Sequence, residues 1–300
     1  MSNSTATSSG QDGHDLESPY NYVPTLWVCA TLLALFAFSG LLHLIQAIWT
    51  RKWWLLPTLV LCAIGEIIGW SGRLWSSKNV LLGTPFLIQI STTIIAPSFM
   101  SAALFVTLGH LVTRLGPQYS RLGPKLYTII FCTVDLISLV VQAVGGGLAS
   151  SADTHEGAEN GGHIMLGGII IQMIAITFYA LLALEFFARF YTNRPVRNVA
   201  SNESPEAKAF ATGSQKVGKS LKLLILGLGL SSLFLFIRAV YRTIELSDGW
   251  NGRIISTQTY FNVLDGLAVF AAMLTLNVLH PGYLLSRVDS TQLSPVGSTV

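Results

Sequence analysis

Residues 25–48 read TLWVCATLLALFAFSGLLHLIQAI and contain no Asp, Glu, Lys or Arg. A bilayer core about 30 Å thick needs about 20 largely apolar residues at 1.5 Å rise each. This stretch meets that length, and six more follow it near 55–75, 85–111, 125–149, 163–191, 219–242 and 256–280. The breaks between them carry turn chemistry: Arg51-Lys52-Trp53-Trp54, Pro85, Gly116-Pro117, Gly123-Pro124, the polar run 150–162, the long segment 192–218 and Asp248-Gly249-Trp250-Asn251-Gly252. The expected fold is therefore all-α, a polytopic membrane protein of seven transmembrane helices. Its organisation reads as a disordered N-terminus over 1–24, a membrane domain over 25–282 and a disordered tail over 283–300.

Composition agrees. The 300 residues are 51% hydrophobic and 11% charged, against about 25% charged in an average soluble domain, and the mean hydropathy is +0.55. A net charge of +3 with the basic residues in loops gives no reason to expect nucleic acid. Cys29, Cys62 and Cys132 each lie inside an apolar run, which speaks against a disulfide framework. Residues 1–24 lack the basic start and apolar core of a signal peptide, so the first span is expected to direct insertion itself.

Lys and Arg set the expected orientation. Alternate connections, beginning with the one after the first span, hold Arg51, Lys52, Arg114, Arg121, Lys125, Arg189, Arg194, Arg197, Lys208, Lys216, Lys219, Lys222 and Arg287. The opposite side holds Arg73, Lys78, Arg238, Arg242 and Arg253. Thirteen against five makes the first side cytoplasmic, with the N-terminus outside and the C-terminus inside. Asp12, Asp15, Glu17 and a glycosylation sequon at Asn3-Ser4-Thr5 fit an external N-terminus.

Ionisable groups within a span cost several kcal/mol unless paired or hydrated, so each one asks for a role. Glu66, Gly69 and Arg73 fall on one face of span two; Asp135, Ser138 and Gln142 share a face of span four. Arg238, Arg242 and Glu245 form a stripe on span six, and Gln258, Asn262 and Asp265 another on span seven. Counted inward from the span ends, Glu66, Asp135, Gln172 and Asp265 lie about 14 to 16 Å deep, and the others lie between that level and the outer surface. These eleven residues, Ser138 and Gly69 aside, are the candidate substrate contacts, and the expectation is a hydrated cavity opening outward. The competing expectation is a set of internal ion pairs that fixes helix registry; both can hold at once.

Other features imply less. His43, His110 and His280 share a depth near the cytoplasmic ends of their spans, but no H-x-x-x-H pair or carboxylate cluster accompanies them, so neither a metal nor another cofactor is expected. Gly65-x-x-x-Gly69 suits close packing, first within the bundle. Gly145-Gly146-Gly147 lacks a following Lys-Ser/Thr and is not a phosphate loop; it is expected to open the backbone at the outer mouth. Trp53-Trp54 reads as an interfacial belt.

Taken in order, Glu66-Ile-Ile-Gly69-Trp70-Ser-Gly-Arg73, Ala96-Pro97-Ser-Phe99-Met-Ser-Ala102 and Asp135-x-x-Ser138-x-x-x-Gln142-x-x-Gly145-Gly146-Gly147 resemble the fungal lipid-translocating exporter (RTA-like) family. Later segments agree: Gly161-x-x-Ile164-x-x-x-Gly168-x-x-x-Gln172, Arg238-x-x-Tyr241-Arg242-x-x-Glu245-x-x-x-Gly249-x-x-Gly252, Asp265 and His280-Pro281-Gly282. The likeness covers roughly 40–282, and departs from the family at Trp70, His110, Thr257-Gln258 and Asn262, where Gln258 replaces a carboxylate. It implies a fungal origin and a role in moving or tolerating amphipathic lipids, such as sphingoid long-chain bases, or toxic small molecules. The implied partner is a lipid or amphipathic substrate, with no established mechanism and an oligomeric state left open. A seven-helix receptor or lipid-stress sensor is the alternative; Leu108-Gly109-His110-Leu111 stands where a G-protein-coupled receptor has its charged triplet. An enzyme is not expected, since no metal cluster or activated Ser/His pair is visible. The plasma membrane suits the sequon; a vacuolar or endoplasmic reticulum membrane is compatible.

Overall fold

The structure, a computed structural model, describes residues 20–196, 218–249 and 252–292, with side chains through Arg287. The sequon, Arg197, Lys208, Lys216, Trp250 and Asn251 lie outside the described residues. Among the described residues, seven helices are long and apolar enough to cross a membrane. They are α1 Leu26–Thr50, α2 Trp53–Ser76, α3 Gly83–Leu115, α4 Pro124–Ser150, α5 His155–Tyr191, α6 Lys219–Ser247 and α7 over 258–278. A shorter α8, Pro281–Gln292, follows a break at His280 and occupies the start of the segment read from sequence as a disordered tail. No strand occurs among the described residues.

Each helix packs on its chain neighbours, and α7 closes the ring against α1. Helix α3 also meets α5 and α6 and is the most enclosed of the seven. The outward faces are apolar: Phe38, Leu136 and Leu184 are each more than 60% exposed. Water would not tolerate that surface, and lipid tails do. The protein is an integral membrane protein.

The principal departure from the sequence reading is the α4–α5 hairpin. Helix α5 begins at His155, well before 163, because Thr154 caps it by accepting from Gly157 N at 3.1 Å. The polar run 150–162 suggested a connection there, but its glycine at 161 serves helix contact. A Cβ on Gly145 would run into the backbone of Met165, and one on Gly161 into the backbone of Ala149. The triple glycine accordingly stays helical, and α4 continues to Ser150 without opening. Gly145→Ala is expected to cost about 1–3 kcal/mol by forcing the two backbones apart. Gly147 has open space around a Cβ, and Gly147→Ala is expected to be neutral or to stabilise by about 0.5–1 kcal/mol. Thermal melts of the purified variants distinguish the two.

The same device joins α2 to α3. Gly65 faces Ala96 and Gly69 faces Thr93, at distances that leave no room for a side chain. This brings Glu66 and Arg73 of α2 close to the first half of α3.

Candidate functional site

Two irregular turns shape the centre of the bundle. Pro97 lies inside α3 and has no N–H, so the carbonyl four residues earlier, on Thr93, has no helical donor. Arg238 Nη2 on α6 supplies one at 2.5 Å. In α7, the wide π-helical turn Phe261–Leu267 carries Asp265 into the interior.

Around these turns the buried groups form one central network. Asp265 accepts from Arg242 through both oxygens, Nε to Oδ1 at 2.9 Å and Nη2 to Oδ2 at 2.8 Å. Arg242 Nη1 donates to Glu245 Oε2 at 2.8 Å, and Tyr241 donates to Glu245 Oε1 at 2.7 Å. Arg242 Nη2 also reaches Thr93 Oγ1 at 3.1 Å. Arg238 Nε sits 2.9 Å from Asp265 Oδ1 but is poorly aligned, so this contact is Coulombic without being a good hydrogen bond. Glu66 lies in the field of Arg238, Arg242 and Asp265, wholly buried, and its Oε1 has no hydrogen-bond partner.

A second cluster adjoins it. Gln172 Nε2 on α5 donates to Asp135 Oδ1 at 2.9 Å and to Ser98 Oγ at 2.7 Å. Its Oε1 accepts from Gln142 Nε2 at 3.2 Å. Gln172→Leu would leave the buried Asp135 carboxylate without its amide donor. A loss of about 1–3 kcal/mol is expected, read as a lower melting temperature.

The third cluster closes the end of the bundle nearest Tyr20. Arg73 Nη2 donates to Tyr22 Oη at 2.7 Å and Nη1 to Gln89 Oε1 at 3.2 Å. Its guanidinium lies 4.3 Å from the centroid of Phe261 and within 6 Å of the rings of Tyr20, Tyr22 and Trp70. Tyr20 donates to Ser76 Oγ at 3.0 Å, and burial pushes its phenol up to about 12, so it remains a donor at neutral pH. Residues 20–24, assigned on sequence to the disordered N-terminus, thus include two tyrosines that cover Arg73.

Between the first two clusters lies a void of about 10 Å³, bordered by Ile94, Gln142, Gln172, Arg238 and Arg242. That is room for about one water. Around this void, paired guanidiniums and carboxylates occupy the space between the polar stripes.

A family model described as RTA1 like protein matches residues 59–287, most of the chain. This chain belongs to the RTA1-like family. It is similar to the sphingoid long-chain base transporter RSB1 of Saccharomyces cerevisiae, 30% identical with 98% of this chain and 84% of the relative covered. It is also similar to Protein RTA1 of the same yeast, 26% identical over 79% of this chain and 69% of that one. A probable lipid transporter, atnI, of Emericella nidulans is 25% identical over 85% of this chain and 65% of the relative. No solved structure matches.

In this RTA1-like chain, nine of the eleven candidate residues fall into the three clusters. The other two lie elsewhere on α7. Gln258 accepts from Thr25 Oγ1 at 3.0 Å near the start of α1, and Asn262 is half-buried with Oδ1 unpartnered. Sequence reasoning missed Thr93, Ser98, Gln89, Tyr22 and Tyr241. Pro97 was the available signal for Thr93, since a proline in a span frees the carbonyl of residue i−4. The histidines at the other end of the bundle separate: His43 and His280 lie 6.4 Å apart, while His110 stacks on Trp54.

Proposed function

We propose that this RTA1-like protein translocates single-chain amphipathic lipids with a cationic amine head, of the sphingoid long-chain base type, across the membrane. A count of the buried charged groups carries the reading. Glu66, Asp135, Glu245 and Asp265 are buried in the bundle with Arg73, Arg238 and Arg242, so four carboxyl groups meet three guanidiniums, and with all of them ionised the carboxylates outnumber the cations by one. Among the described residues, neither Glu66 nor Asp135 makes an ion pair, whereas Asp265 and Glu245 both do. An ammonium arriving between the helices would neutralise that excess; so would a proton, and movement is either passive or proton-coupled. The name of the yeast relative RSB1 points to the same head group.

The protein acts without catalysis on this reading, with its N-terminus outside, its C-terminus in the cytoplasm and the plasma membrane as its site. The thirteen-to-five distribution of Lys and Arg supports that orientation. Toxic amphiphiles with an amine would use the same route. The test is transfer of a labelled long-chain base across proteoliposomes with and without the protein, at several external pH values. Faster transfer with protein is expected, and equal rates at every pH would overturn the reading. The closed centre favours one competitor, a lipid sensor, for which saturable binding would occur with no gain in transfer.

A further inference from the structure

An apolar groove of about 440 Å³ runs along the side of the bundle where the first half of α3 faces the last half of α4 and the start of α5. Phe86, Ile90 and Ile94 form one wall, and Gly146, Gly147 and Met165 the other. Its volume falls within the range of about 300–1,000 Å³ typical of small-molecule sites. At its inner end stands Gln142, which also borders the central void, as does Ile94. The groove and the charged network therefore share a partition of two side chains.

Gln142 is 3% exposed, and its Oε1 is buried with no partner. The orientation of its amide is fixed from within. Asp135 Oδ1 accepts from Gln172 Nε2, as does Ser98 Oγ, which turns Gln172 Oε1 toward Gln142. Gln142 must then donate to Gln172, which leaves its own oxygen free. A buried carbonyl oxygen without a donor at the end of an apolar channel asks for an N–H or O–H.

The glycines make the groove. Of the triplet in α4, only Gly145 is held against α5; a Cβ on Gly146 would meet nothing nearer than Met165 Sδ at 3.8 Å, and one on Gly147 would meet nothing within 4 Å. Helix packing thus explains the first glycine, and the space explains the other two.

We infer that this groove seats the alkyl chain of the substrate while Gln142 Oε1 accepts from its amine or hydroxyl head, making the α3–α4 face the lateral entrance to the charged centre. The inference rests on the proposed function and adds the route to it. The head would pass from Gln142 toward Asp135 and Glu66, and the chain would remain in contact with lipid throughout, sparing it transfer through a polar interior.

The test is photolabelling of the full-length protein in lipid nanodiscs with a long-chain amine that carries a diazirine near the end of its chain. Saturable labelling concentrated on Phe86, Ile90 and Met165, displaced by unlabelled long-chain amine, is expected. Gly146→Leu fills the groove and is expected to reduce that labelling about tenfold, while a short-chain amine still competes at the centre. Ser91→Leu, introduced from the α3 wall, serves the same purpose if Gly146→Leu does not fold. Saturable labelling on another face, or undiminished labelling in a folded variant, would overturn the groove alone. Absence of saturable labelling anywhere would overturn the proposed function together with it.

Discussion

Asp265→Asn is expected to destabilise the protein by about 3–5 kcal/mol, the cost of removing one partner from a buried ion pair. Asp265 holds Arg242 through two hydrogen bonds and lies 2.9 Å from Arg238 Nε. An asparagine keeps one acceptor oxygen and turns an NH₂ group toward a guanidinium. Arg242 would then keep Glu245 as its one carboxylate partner and Arg238 would have none, in a medium where charge is poorly screened. A lower melting temperature in detergent, with membrane insertion retained, is the measurement. Tyr241→Phe removes one hydrogen bond to Glu245 and should show a smaller loss. Equal melting temperatures for Asp265→Asn and the parent protein would mean that the network contributes nothing to the fold.

Glu66→Gln is expected to behave in the opposite way. Glu66 is as deeply buried as Asp265 but has no ion pair among the described residues, so neutralising it leaves no cation stranded. Stability should be unchanged or slightly higher, because an unpaired buried carboxylate is costly to keep charged. Transfer of a long-chain base should fall about tenfold or more, the consequence of losing at least ~1.4 kcal/mol of interaction with the moving ammonium. Parental transfer rates in this variant would remove Glu66 from the substrate path. The pair of substitutions separates a carboxylate that holds the helices together from one that is available to a substrate.

The contrast also shows what could be read from the chain alone. Spans and polar stripes were legible because bilayer thickness fixes helix length and because i, i+3, i+4 and i+7 share a face; Arg242 and Glu245 meet as that periodicity requires. Pairing between helices was not legible. Whether Asp265 meets Arg73 or Arg242 depends on the depth of each helix and on the π-helical turn in α7, and neither leaves a compositional mark. What fills the polar centre was not legible for the same reason: stripes on several helices define it equally well whether water or opposing side chains occupy it. The early start of α5 was hidden because a polar first turn that packs through Gly161 looks, in sequence, like the polar run of a connection. Tyr20 and Tyr22 were hidden because the segment before a first span carries no periodicity at all.

The positions read from spacing thus divide by partner. Arg238, Arg242, Glu245 and Asp265 neutralise one another, and Arg73 is enclosed by aromatic rings and Gln89. Asp135 is held by a neutral amide, and Glu66 keeps an unpartnered oxygen. A cation crossing the bundle would find these last two carboxylates outside any ion pair among the described residues, and the one-water void lined by Gln172, Arg238 and Arg242 has to widen before a head group can pass.

The most direct test of that account is a paired transfer measurement in proteoliposomes, using a long-chain amine and its N-acetylated analogue with the same chain. The account predicts that the protein accelerates the charged amine and leaves the neutral analogue at the rate of protein-free vesicles. Equal acceleration of both would contradict it, since the buried carboxylates would then have no part in choosing what crosses.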